Sequence, residues 1–154
     1  MQFNNNPDYN QVLPAHHPGY RYEDYVGGIL TLTKAAILIP TKEDWVQKGA
    51  ALDSQGYVTT YYAADASQLC LTSAIYRSTH KEVFRQPAFI GLAKVINNKY
   101  AERTVGNLAI VENERQMRIS DIIYFNDNRQ TKHDEVLQVI EEAKDVLRDF
   151  MSYY

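Results

Sequence analysis

A thiol becomes a nucleophile near neutral pH when a neighbouring base or a positive potential converts it to thiolate. The chain has one thiol, Cys70, and His133 lies downstream as a candidate base. Asp127 or Asn126 could hold the imidazole in the right tautomer. Cys70, His133, Asp127 and Asn126 therefore make up a conceivable cysteine hydrolase or transferase. The chain order of such groups decides nothing, because geometry defines these sites. No Gly-rich or otherwise diagnostic frame surrounds Cys70. A lone Cys among Leu and Ala is ordinarily a small buried hydrophobe.

Arg77, Lys81 and Arg85 step by four and would share a face if one helix carried all three, the pattern of a phosphate-following stripe. From Arg77 to Arg103 the chain holds six basic residues against Glu82 and Glu102, whereas Asp134 to Asp149 holds six acidic residues against Lys144 and Arg148. Pairing between these two regions explains the charges more simply than nucleic acid does. His80, His133, Asp127 and Asp134 show no recognised metal-ligand spacing. The seven Gly are scattered, without a phosphate-cradling loop. No metal or cofactor is called for.

The 154 residues suit one domain with a sizeable core. A single Cys excludes an internal disulfide and fits a reducing compartment. No apolar run approaches the length of a membrane span, and Met1 to Asn10 lacks the layout of a signal peptide. The expectation is a cytoplasmic protein without a membrane segment. Net charge is −3, which selects no partner. Twelve Tyr against five Phe and one Trp is the unusual count, since Tyr is enriched at interfaces.

Elements must position these groups. Residues 1–21, rich in Asn, Pro and Gly, read as an extended arm that carries Tyr9 and Tyr20 and packs on its own body or on a partner. Residues 22–154 form the domain. Glu23 to Ile39 reads as a helix with Val26, Ile29, Leu30, Thr33 and Ile37 on one face. Its Gly27-Gly28 pair suggests a close crossing with the Cys70 helix. Thr41 with Asp44 caps a short helix through Lys48 that carries Trp45, read as core with binding as the alternative. Asp53, Ser54 and Gly56 make a turn, and Tyr57 to Tyr62 is a candidate strand.

Ala64 to Thr79 is the central element. Asp65 and Gln68 resemble a capping box, placing a helix start near Ala66 and Cys70 in its interior. Pro87 splits His80 to Tyr100, leaving a helix over Ala88 to Asn97 with Phe89, Leu92, Ala93 and Ile96 buried. Residues 101–118 are the least readable, with Thr104 to Val111 fitting strand or helix turn. Ser120 caps a single turn through Phe125. Thr131, with Asp134, caps the last helix, whose Val136, Val139, Ile140, Ala143, Val146, Leu147, Phe150 and Tyr154 follow 3.6-residue spacing. The fold class is mainly α: one small helical domain with at most a short β-hairpin.

Four patterns run in order along the chain: Trp45-x-x-x-Gly49-Ala50, Asp53-x-x-Gly56, Cys70-Leu71-x-x-Ala74-Ile75, and Phe125-Asn126-Asp127 followed by Thr131 and Glu135-Val136-Leu137. Together they resemble a domain family of unknown function found in bacterial and phage genomes, over about Glu23 to Leu147. The resemblance implies a small, mainly helical domain and a phage or bacterial setting. It transfers no activity and no functional residue. The expected function is that of an accessory or regulatory protein that binds another protein, with Tyr9, Tyr20, Tyr22, Trp45, Arg77, Lys81 and Arg85 as candidate contacts. The cysteine enzyme is the alternative.

Overall fold

The computed structural model describes residues 11–14, 16–104 and 116–154. In chain order they form β1 (Val12–Leu13), α1 (Tyr22–Leu38), β2 (Ala51–Asp53), β3 (Val58–Thr59), β4 (Ala66–Leu69), α2 (Leu71–Ser78), α3 (Glu82–Lys99), β5 (Met117–Arg118), α4 (Ile119–Asp127) and α5 (His133–Met151). The fold is mainly α, as the apolar spacing predicts. Two small antiparallel sheets supplement the helices: β3-β2-β4, and β1 with β5. Asp53 Oδ1 accepts from the backbone N–H groups of Gln55 and Tyr57, and Gly56 takes φ +85, which closes the β2–β3 hairpin.

Helices α1, α3 and α5 pack on one another and enclose the core, with α2 and α4 against their flank. Helix α5 buries Val136, Val139, Ile140, Ala143, Leu147 and Phe150 of the predicted stripe, whereas Val146 is half-buried and Tyr154 stands exposed beyond the helix end at Met151. Two glycines set the crossings. A Cβ on Gly91 would lie 2.9 Å from the Ala143 carbonyl oxygen, and one on Gly28 would lie 2.9 Å from both Leu147 Cδ1 and Pro87 Cβ. The close crossing at Gly27-Gly28 is therefore with α3 and α5, in place of the expected Cys70 helix.

Helix α1 brings a larger correction. Its buried face is Tyr25, Gly28, Thr31, Leu32 and Ala35, whereas Val26, Leu30 and Ile37 of the predicted apolar face point to solvent. Helix α3 also runs unbroken through Pro87. The ring removes one i→i−4 hydrogen bond, and burial of Pro87, Ala88 and Phe89 offsets the loss.

The central segment is half strand. Ala66–Leu69 pairs with Ala51–Asp53, Trp45 bridges Leu69, and helix α2 starts only after Cys70, which is extended at ψ 170. The Asp65-Gln68 cap pattern yields to a strand that buries Leu69. The turn after Thr41 also stops early. Asp44 accepts from the Thr41 N–H and hydroxyl, but the 3-10 turn covers only Lys42–Asp44 and Trp45 is extended. At the start of α5 the N-cap is Lys132, whose N–H donates to Glu135 Oε1, one residue beyond the predicted Thr131 cap. Helix α4 spans more than the single expected turn.

The described part of residues 1–21 lies on the body. Leu13 is buried in the β1–β5 pair, and the His17 ring packs on Tyr25 and Phe150 at 5.5 and 5.2 Å. Tyr154 donates its hydroxyl to the Tyr20 carbonyl. Tyr9 lies outside the described residues.

Candidate functional site

Cys70 is the N-cap of α2, where a helix N-terminus favours a thiolate. Burial opposes it. The residue is 1% exposed, and loss of water pushes its thiol up, against the opposing effect of its hydrogen bonds with Ser73 and Thr72. Its Sγ lies 3.3 Å from both Thr72 Oγ1 and Ser73 Oγ. Among the described residues no hydrogen bond joins Cys70 to His133. The His133 Nε2 lies 2.7 Å from the Ile39 carbonyl. A carbonyl only accepts, so Nε2 carries hydrogen and the neutral ring keeps Nδ1 as its acceptor. The imidazole thus bonds the end of α1.

Asn126 is the hub of this region, and it is 1% exposed. Its Oδ1 accepts from the Trp45 indole N–H at 2.7 Å and from the Leu71 backbone N–H at 3.0 Å. Its Nδ2 donates to the Val46 carbonyl and to Asp127 Oδ1, each at 3.0 Å. Leu71 is the first residue of α2, so Asn126 satisfies a helix N–H that the N-cap Cys70 leaves open. Asp127 Oδ1 also accepts from Lys48 N–H at 2.8 Å, and Gln47 donates to the Asn126 and Asn128 carbonyls. Burial pushes the Asp127 carboxyl up, although the Lys48 N–H and the Asn126 amide work the other way. These residues clamp the Trp45–Lys48 segment to α2 and α4.

An open cleft of about 660 Å³ lies beside the clamp, lined by residues that include Thr41, Trp45, Lys132, His133 and Asp134. Trp45 and His133 stand 6.0 Å apart across their ring centres. The volume suits a small ligand, but the lining charges are mixed and fix no ligand class. No cluster of three His, Cys, Asp or Glu able to hold a metal occurs among the described residues.

The basic trio is dispersed. Helix α2 ends at Ser78 and α3 starts at Glu82, so Arg77, Lys81 and Arg85 do not share one helix face. Arg77 donates to the Tyr61 and Ala63 carbonyls, Lys81 stands over the Phe84 ring, and Arg85 lies over the Tyr76 ring. Opposite charges do pair onto α5: Lys99 with Glu142 at 2.8 Å and Arg103 with Glu135 at 3.0 Å. Burial works against the Glu135 carboxylate, yet the Lys132 N–H and the Arg103 guanidinium hold it below the usual range.

The surface feature that sequence reasoning missed is on α1. Tyr22 is 48% exposed, Val26 36%, Leu30 64% and Ile37 68%. At 100° per residue they fall within about 80° of arc, forming one stripe. Tyr22 touches the Tyr154 ring, and the exposed Tyr153 and Tyr154 extend the patch. The signal was present in the sequence: α1 is apolar on both sides, and a helix apolar all round is normally covered all round. Tyr22 is one of the candidate contacts read from the sequence; Tyr20 is half-buried on Tyr25.

No helix among the described residues is long and apolar enough to cross a membrane. Comparison with curated proteins and with solved structures gives no match. A family of unknown function, DUF6197, matches residues 29–146, a span that holds Trp45, Cys70, Asn126 and His133, and the chain belongs to that family.

Proposed function

We propose that the chain is a small accessory or regulatory protein that acts by binding another protein chain through the outer face of α1. The observation that carries this reading is the stripe of Tyr22, Val26, Leu30 and Ile37 left in water on a helix whose other side is core. Contiguous exposed apolar patches mark interaction sites. Cys70 supports a structural role over catalysis, because a thiol at 1% exposure gives a substrate no surface to meet. Trp45 is held by Asn126, so it serves the clamp before any ligand.

The test uses a photo-crosslinking side chain at Ile37 and, as control, at the exposed Gln138 on α5. The Ile37 probe is expected to capture a defined protein chain that the Gln138 probe does not. Leu30→Glu should abolish the capture without altering stability beyond about 0.5 kcal/mol, as for a surface position. Equal capture from both positions, or capture indifferent to Leu30→Glu, refutes the proposal.

A further inference from the structure

We propose that the chain docked on the α1 face is a second copy of this one, lying antiparallel across a two-fold axis near Ile29 and Leu30. The inference rests on reading that face as an interface and adds the identity of its occupant.

The stripe is complementary to itself. In an antiparallel pair Tyr22 meets Ile37 of the second copy, Val26 meets the half-buried Thr33, and Leu30 meets the half-buried Ile29 at the edge of the stripe. Isologous packing requires such a match, since one patch must serve both sides. The charges choose the same arrangement. Glu23 and Lys34 are both exposed and, among the described residues, neither forms an ion pair. Eleven residues apart at 100° each, they stand about 20° from one another around the helix, on one edge of the stripe. When two helices pack antiparallel about a two-fold axis, like edges meet. In that register Glu23 lies about 3 Å along the axis from Lys34 of the second copy, within reach of the long lysine side chain, and Lys34 lies equally near its Glu23. A parallel pair would bring that edge against the opposite edge of the stripe, which holds Ile29 and Ala36, and leave both charges without a partner.

Size sets the strength. From Tyr22 to Ile37 the stripe is about 22 Å long at 1.5 Å per residue. A helix face of that length covers a few hundred Å² per copy, short of the roughly 800 Å² per partner of a standard interface. The dimer is therefore weak and reversible, with a dissociation constant on the order of 10 µM or above.

Sedimentation velocity on the full chain from about 1 to about 500 µM tests this. The expected result is a monomer–dimer equilibrium within that range. Glu23→Lys alone and Lys34→Glu alone should each weaken it by roughly tenfold, since both symmetry-related pairs become repulsive. Mixing the two variants should restore association as a heterodimer, because each then presents what the other needs. The double variant Glu23→Lys/Lys34→Glu should restore the homodimer. A monomer at every concentration, or a dimer indifferent to these exchanges, overturns the proposal. If the chain stays monomeric while the Ile37 probe still captures a different protein, the second copy is refuted as occupant and the face survives as an interface.

Discussion

Removing the Asn126 side chain should unfasten α2, α4 and the Trp45 segment together. In Asn126→Ala the Trp45 indole N–H, the Leu71 N–H and the Val46 carbonyl each lose a partner. A buried polar group left unpaired costs about 1–3 kcal/mol. Leu71 is fully buried, so its N–H bears that cost, whereas Trp45 is only half-buried and water can reach part of it. The expected loss is about 3–5 kcal/mol, a large share of the roughly 5–15 kcal/mol that holds a domain together. Urea unfolding at neutral pH measures it as a lower midpoint at unchanged slope. A loss below about 1 kcal/mol would refute the clamp.

Asn126→Asp separates hydrogen-bond chemistry from volume. The shape is kept and Oδ1 still accepts, but the donor Nδ2 becomes an acceptor facing the Val46 carbonyl and Asp127 Oδ1. A second carboxylate beside Asp127 also resists ionisation. The new carboxyl is held above its unfolded value of about 3.9, so its penalty is absent below that pH and grows as pH rises through the folded pKa. The variant should be at least as unstable as Asn126→Ala at pH 7 and recover on acidification. Wild-type stability at pH 7 would contradict the assignment of donor and acceptor.

Three further outcomes follow from the geometry. Cys70 should react with a small alkylating reagent far more slowly than the unfolded chain does at pH 7, because it is buried and burial pushes its thiol up; equal rates would mean an accessible thiol. Asp127 and Glu135 should show opposite pH signatures in urea unfolding. Asp127 is raised, so its ionisation costs stability as pH climbs through its folded pKa; Asp127→Asn keeps Oδ1 as acceptor and should flatten that loss. Glu135 is lowered, so it contributes above its unfolded value of about 4.3 and the contribution fades as pH falls; Glu135→Gln should destabilise at pH 7 and converge with wild type in acid. The same sign for both variants would contradict these assignments. Gly91→Ala forces a Cβ to 2.9 Å from the Ala143 carbonyl and should lower stability by about 1–3 kcal/mol, measured by thermal or urea unfolding.

What the sequence made legible was what neighbouring residues decide. The α5 stripe is visible because every third or fourth residue is apolar and one face alone is covered. The hairpin turn is visible because Asp53 bonds its own next residues. Cys70 was misplaced because Asp65 and Gln68 offer a local cap, while the winning interaction is pairing with Ala51–Asp53, remote in the chain. Asn126 drew attention as an orienting group for a histidine, yet its partners Trp45 and Leu71 are 81 and 55 residues away, and no local pattern announces such a bond. The four-residue spacing of Arg77, Lys81 and Arg85 is genuine, but it needs a helix that ends at Ser78.

Helix α1 shows where periodicity stops being informative. Spacing names the faces of a helix; only the neighbours decide which face is covered. On α1 both faces are apolar, and the one carrying the glycines went inward: Gly27 and Gly28 let α3 and α5 approach beside the buried Tyr25 and Leu32, while Leu30 and Ile37 stayed out. Close packing favours the face with the glycines, since a side chain at Gly28 would hold the helices apart where a single added Cβ already meets Leu147 and Pro87. The bulky face then remains in water. Covering a Leu or Ile fully is worth about 1.5–3 kcal/mol each, so a partner that seats on Leu30 and Ile37, 64% and 68% exposed, gains about two thirds of that at each from area that this chain alone leaves in water. Polar residues at Leu30 and Ile37 would leave the core of the monomer as it is and remove that gain, which is why substitutions there separate folding from association.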